Sequence, residues 1–104
     1  MMETFKMREV FGSFLADGEV ANSFRFSQIE PLLGRGCGVT LDFQGVTNMT
    51  DSFANACFAN LAMDHPDAFG SSVIFRNCSP VVDAFLAAAI SFGRTEAQRL
   101  HQVR

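Results

Sequence analysis

Side chains able to do chemistry are sparse in this 104-residue chain, and their spacing limits what they can do. Asp42 closes an apolar, strand-like run, but no second carboxylate or histidine stands at a recognisable spacing from it. Its carboxylate is therefore expected to serve loop amides, not a catalytic or metal site. A Cys-His nucleophile would need Cys57 or Cys78 beside His65 or His101, and neither thiol has a basic neighbour of clear register. Cys37, Cys57 and Cys78 are odd in number and widely spaced, which suits neither a disulfide framework nor a zinc site, so they read as small apolar residues. The GRGCG run at 34–38 has the glycine content of a phosphate cradle, yet it precedes a strand where such a loop precedes a helix. The densest polar cluster is QGVTNMTDS, at 44–52. Thr50 or Asp51 is the natural N-cap of a helix beginning near Phe53. Thr47, Asn48, Thr50, Asp51 and Ser52 together form a turn that a partner can touch. Capping alone, and capping combined with partner contact, are both open readings of these residues.

The elements that must present this loop follow from periodicity. Residues 4–10 alternate, with Phe5 and Met7 opposite Lys6 and Arg8, which predicts a half-exposed strand. Gly12 and 16–18 break the pattern around a second short strand at Phe14 and Leu15. From Glu19 the spacing turns helical, with Val20, Phe24, Ile29 and Leu33 on one face and Asp17 as the cap. Pro31 should kink this helix because it lacks an amide donor, and Gly34 and Gly36 end it. GVTLDF, at 38–43, is the clearest strand. Phe53, Cys57 and Leu61, flanked by Ala54 and Phe58, line one face of the next helix. Val73, Ile74 and Phe75 form a strand that ends at Arg76-Asn77, and Ser79-Pro80 opens a helix with proline where its missing donor costs nothing. That helix buries Val82, Phe85, Leu86 and Ala89 and is expected to end near Gly93. The capping-box spacing of Thr95 and Gln98 then predicts a final short helix with Ala97 and Leu100 on its apolar side. Strands separated by helices imply crossovers and a largely parallel or mixed sheet, with binding residues at the carboxyl ends of the strands, at 44–52 and 77–80.

Composition narrows the function classes. Twelve Phe with no Trp or Tyr point to a phenylalanine core that needs no buried hydrogen-bond partners. Phe53 is assigned to that core, while Phe24, Phe26 and Phe92 are candidates for partial exposure. Net charge is −3, and the one local basic excess, Arg94, Arg99, His101 and Arg104, is no concentrated cationic face, so nucleic acid is not the expected partner. No apolar run approaches the roughly 18 residues of a membrane span. The segment MMETFKMREV lacks the apolar stretch of a secretion signal, and a cytoplasmic location is the expectation.

Two longer stretches carry a family likeness. VTLDFQGVTNMTDSFANACF, at 39–58, resembles the signature of STAS domains, the fold of bacterial anti-sigma-factor antagonists: an apolar strand, a turn, an Asp-Ser loop and a helix start. VIFRNCSPVVDAFLAAA, at 73–89, is similar to their later strand and Ser-Pro helix. The Asp-Phe-x-Gly-Val and Ser-Phe-Ala pattern resembles more closely still a divergent STAS-like family of unassigned function. The resemblance implies one α/β domain over 1–104, with a STAS-like mixed sheet of about four strands and helices packed against it. It implies a non-enzymatic regulatory module, needing no cofactor or metal, that binds a protein such as an ATP-binding switch kinase or an anti-sigma-like factor. In the antagonists the loop runs Asp-Ser-Ser-Gly, and its first Ser is phosphorylated. Alignment on Leu41, Phe43, Val46 and Met49 puts Thr50 at the acidic position, Asp51 at the acceptor, Ser52 next and Phe53 in place of Gly. Asp51 then carries about one charge where phosphoserine carries about −1.5 to −2. A slip of one residue makes Asp51-Ser52 the Asp-Ser pair, so Ser52 and Thr50 are the candidate acceptors. The alternative is a structural or assembly subunit that self-associates, for example as a homodimer, through a sheet edge or helix.

Overall fold

A computed structural model describes residues 2–102, with side chains described through Leu100. β1 (Met2–Lys6), β3 (Gly38–Asp42) and β5 (Val73–Arg76) form a parallel sheet in the order β1-β3-β5. Thr4 lies opposite Thr40, and Thr40 opposite Ile74. Strand order follows chain order without reversal, and crossovers of one hand then deliver both connecting helices to the same face. Side chains agree with this. Phe5, Val39, Leu41, Val73 and Phe75 join or pack on the apolar core from one face, whereas Ile74, on the other, stays outside it and Thr4 is exposed. Parallel sheets are usually covered on both sides.

The sheet differs from the expected one of about four strands, mixed in direction. It has three strands, all parallel, and β2 (Phe14–Leu15) pairs with β4 (Asn48–Met49) in a separate parallel ladder. Gly45, at φ 84°, closes a turn in which Val46 N–H donates to Phe43 O at 2.9 Å, so the chain leaves the line of β3. Gly12, at φ 90°, redirects the chain in the same way before β2. Such positive φ values favour glycine. Leu15 and Met49 enter the core from this small ladder.

β1 is also shorter than expected. It stops at Lys6, and Met7–Phe11 forms a single helical turn, α1. The turn brings Met7 and Phe11, four residues apart, to the same side, where Met7 is fully buried and Phe11 packs on the core.

The first long helix spans 18–34 in three parts: Gly18–Phe24, a π turn Arg25–Ile29, and Glu30–Gly34. The Asp17 carboxylate caps it, accepting from Glu19 N–H at 2.9 Å. In the π turn Glu30 N–H reaches Arg25 O, one residue beyond the α partner. Pro31, which has no N–H to give, follows directly. The kink expected at Pro31 is therefore a widened turn just before it. The buried line runs through Ala21, Phe24, Arg25 and Ile29, so Val20, expected inside, is exposed.

A second long helix spans 51–64, with a π turn at Asn55–Ala59, and buries Phe53, Ala54, Cys57, Phe58 and Leu61. The C-terminal helix, Pro80–Gln102, is opened by Ser79, whose hydroxyl accepts from Val82 N–H at 3.3 Å. It runs without a break, contrary to the expected stop at Gly93. Gly93 is buried against Ala59 and Ala62, where an added Cβ would lie 2.7 Å from Ala62 Cβ. Its missing side chain permits close helix packing and does not mark an end. Phenylalanine rings tie the layers together, with Phe5 to Phe24 at 5.2 Å, Phe11 to Phe53 at 5.0 Å and Phe58 to Phe75 at 5.7 Å between centroids.

Candidate functional site

The loop between β3 and helix 51–64 is held from below by the segment that carries β2. Thr47 N–H donates to Ser13 O at 2.8 Å, and the Thr47 hydroxyl to the same oxygen at 3.2 Å. Asn48 turns its Oδ1 back onto Met49 N–H at 2.9 Å. Thr50 does two things at once: its hydroxyl accepts from Phe53 N–H at 3.1 Å, as the N-cap, and donates to Ala16 O at 2.7 Å. Asp51 and Ser52 follow in the first turn, and both are exposed. The start of helix 18–34 lies against them, because a Cβ on Gly18 would fall 2.6 Å from Ser52 Oγ. Two helix starts therefore meet here, with Asp17, Glu19 and Asp51 placing carboxylates where the helix dipoles are positive.

Beside the loop lies a shallow apolar groove of about 280 Å3, with Phe53 at its floor and Val10, Phe14 and Val20 among its walls. Phe14 is 51 % exposed, Val10 48 % and Val20 47 %. Phe53 itself is core, at 1 % exposure, as its spacing predicts. Among the other aromatics considered for partial exposure, Phe26 (70 %) and Phe92 (56 %) are open, whereas Phe24 is buried at 7 %.

A second polar site occupies the carboxyl ends of the sheet strands, where Lys6, Asp42 and Arg76 share one register row. Asp42 Oδ1 accepts from Asn77 Nδ2 at 2.9 Å and from Gln44 N–H at 3.0 Å. These bonds, the Asn77 side chain first, hold the Asp42 carboxyl below its ordinary range. Asn77 reaches it from a left-handed φ of 57°. The adjoining open cavity of about 400 Å3 mixes Lys6 and Arg8 with Glu9 and Asp42. An ionised Asp42 has no proton to give near neutrality, and its bonding to loop amides matches its reading as a loop-fixing carboxylate.

The thiols are arranged for packing. Burial pushes the Cys57 thiol up to about 12 and the Cys78 thiol up to about 11, so neither is a thiolate near neutral pH. His65 lies against Glu30, with Nε2 2.7 Å from Oε1, and not against a cysteine. Among the described residues no cluster of His, Cys, Asp and Glu could hold a metal ion. Among the described residues no helix is long and apolar enough to cross a membrane. Of the C-terminal cations, Arg94 donates to Pro66 O at 3.1 Å and Arg99 pairs with Glu96, while Arg104 and the His101 side chain lie outside the described residues.

One polar network escapes a reading by motif. Arg25, only 9 % exposed, donates from Nε to Ala56 O at 3.1 Å, from Nη1 to Glu30 Oε2 at 2.8 Å and from Nη2 to Asn22 Oδ1 at 2.6 Å. Ala56 O is free to accept because the π turn sends Asn60 N–H to Asn55 O instead. Asn60 Nδ2 also donates to Ala56 O, at 3.0 Å. Helix 18–34 thus supplies, through Arg25, a donor to the carbonyl that the widened turn of helix 51–64 leaves open. The available signal is a charged residue, Arg25, lying between Ala21 and Ile29 on an otherwise apolar helix face.

A parallel sheet with an apolar face, helices gathered on that face, and a capped polar loop at the head of the helix after β3 define an α/β protein. Comparison with known proteins agrees: a family model described as the STAS-like domain of unknown function (DUF4325) matches residues 20–83, from helix 18–34 to the first turn of the C-terminal helix. The chain belongs to that family. No curated protein and no solved structure gives a match.

Proposed function

We propose that the chain is a non-enzymatic, cytoplasmic regulatory module that binds another protein through the loop Thr47, Asn48, Thr50, Asp51 and Ser52. An ATP-binding switch kinase or an anti-sigma-like factor is the partner class. The observation that supports this most is the exposure of Asp51 and Ser52 at the head of helix 51–64, next to an apolar groove. The two candidate acceptors differ in kind. The Thr50 hydroxyl is engaged on both sides as cap and tether, whereas Ser52 is an exposed residue whose hydroxyl, beside Gly18, makes no hydrogen bond among the described residues. Phosphate on Ser52 would add about −1.5 to −2 charges beside Asp17, Glu19 and Asp51, changing which partners the face tolerates.

The test is ATP-dependent phosphorylation of the purified chain in extract of its own host cells, read by intact mass. Ser52→Ala is expected to abolish the added phosphate mass and Thr50→Ala to leave it, the latter at a stability cost of about 1 kcal/mol for the lost cap. Phosphate retained in the double variant would remove both residues from consideration.

A second reading, self-association as a scaffold, has its own support. Val81, Phe85, Ala88 and Phe92 recur on the C-terminal helix at alternating steps of four and three, with Val81 44 % and Phe92 56 % exposed. That seam repeats itself under a two-fold axis, so an antiparallel second copy fits it. Light scattering is expected to show a dimer mass that Phe92→Asp reduces to the monomer if this reading holds; a monomer at all concentrations sinks it.

A further inference from the structure

We infer that the groove beside the loop receives the apolar face of an amphipathic helix from a partner protein, and that the flanks of that helix are cationic. The inference rests on the protein-binding reading above and adds the chemistry of what is bound.

Shape comes first. The groove holds about 280 Å3 and is open to solvent, whereas small-molecule sites bury most of the ligand's surface. Val10, Phe14 and Val20 on its walls are half in water, whereas Phe53 is buried. A cleft of this kind takes one or two inserted apolar side chains and leaves the body of the ligand outside, which is the helix-in-groove mode. Strand addition is the poorer fit, because β2 offers an edge only two residues long.

Charge then selects the ligand. Asp17 lines the groove and no Lys, Arg or His does. Glu19 stands between the lining residues Asp17 and Val20, and Asp51 lies two positions before Phe53; both are exposed and neither forms an ion pair among the described residues. Acidic groups along an apolar cleft attract a partner with Lys or Arg beside its apolar anchors and repel an acidic one. A second copy is a poor occupant by the same reasoning, since each chain carries a net charge of −3.

The test uses a synthetic amphipathic Lys/Leu peptide as probe. One control has Ser for every Leu at the same charge, and another has Glu for every Lys on the same apolar face. Titrations are followed by amide shifts of the 15N-labelled full chain. The Lys/Leu peptide is expected to shift Val10, Phe14, Val20 and Phe53 and to leave Ile74 and Arg76, on the far sheet face, unmoved. Phe14→Ser and Val20→Ser are expected to weaken binding about tenfold each, as for truncated interface anchors. A Glu19→Lys, Asp51→Lys pair, exposed and away from the core, should weaken it similarly and flatten its salt dependence. Equal binding of the Ser control, or shifts spread over the surface, would overturn the inference, and so would shifts at these positions that grow with protein concentration in the absence of peptide. If a host-cell partner binds in a manner that depends on Ser52 and ignores Phe14, the groove assignment fails while the protein-binding reading stands. If the peptide binds as described but Ser52 is never modified and a host partner binds without the loop, the loop reading fails while the groove assignment stands.

Discussion

Replacing Gly93 with valine is expected to destabilise the folded chain by about 3 kcal/mol, with a midpoint of thermal unfolding lower by roughly 12–24 °C. The reason is geometric. A Cβ at residue 93 would overlap the carbonyl oxygen of Ala59 and approach Ala62 Cβ to 2.7 Å. The first of these is backbone, so no rotamer change relieves it, and the C-terminal helix must move off helix 51–64. Alanine at the same site sets two effects against each other. Helix propensity favours it by about 1 kcal/mol, whereas overpacking costs about 1–3 kcal/mol. Because the obstacle is a carbonyl group, the clash is expected to win, and Gly93→Ala should also unfold at lower temperature. Gly34→Ala is the internal control, because its Cβ meets nothing within 4 Å; a gain of up to about 0.5–1 kcal/mol is expected there. Differential scanning calorimetry of the three variants decides the matter, and a stabilised Gly93→Ala would show that the two helices do not pack as closely as described.

Arg25→Met is expected to cost about 3–5 kcal/mol, the range for removing one member of a buried ion pair. The guanidinium side chain is 10 % exposed and its partner Glu30 22 %, so solvent screens the pair little. Methionine replaces the aliphatic stem but leaves Glu30 with the His65 ring as its remaining side-chain partner among the described residues, Asn22 without its bond, and Ala56 O dependent on Asn60. Arg25→Lys should recover part of the loss and not all of it, because a single ammonium cannot serve three acceptors with the planar fork of arginine. Urea unfolding at constant m-value is the measurement. If Arg25→Met unfolds at the same midpoint as the parent, the network contributes nothing net. A double variant, Arg25→Met with Glu30→Gln, should lose less than the sum of the single losses, because the stranded carboxylate charge has gone.

What could be read ahead of the coordinates follows a physical division. Helix starts at Thr50 and Ser79 and the cap at Asp17 were legible because a cap is a contact within three residues, and its chemistry is written locally. β3 was legible because Val39, Leu41 and Phe43 repeat on every second position. Gly93 misled because glycine at a helix end and glycine at a helix crossing are the same residue in one dimension, and only the neighbour at Ala59 separates them. The three-strand sheet with a separate small ladder was hidden for a similar reason. Asn48 and Met49 look like turn residues until Phe14 and Leu15, far back in the chain, supply their partners. The candidate loop itself was visible as a run of turn formers. The groove beside it was not, since its walls come from Val10 to Val20 and its floor from Phe53. Periodicity alone places Val20 inside, because it misses the true centre of the buried face at Ala21 and Arg25.

The unreversed strand order also bears on how the chain is made. No two neighbours in the main sheet are consecutive strands of a hairpin; each parallel partner arrives only after an intervening helix has been synthesised. On the ribosome, a nascent chain that has reached helix 51–64 but not Val73 therefore shows β3 with one side of its amides and carbonyls unpaired. Such an edge invites pairing with a neighbouring polypeptide, and the interval closes when residues 73–76 dock.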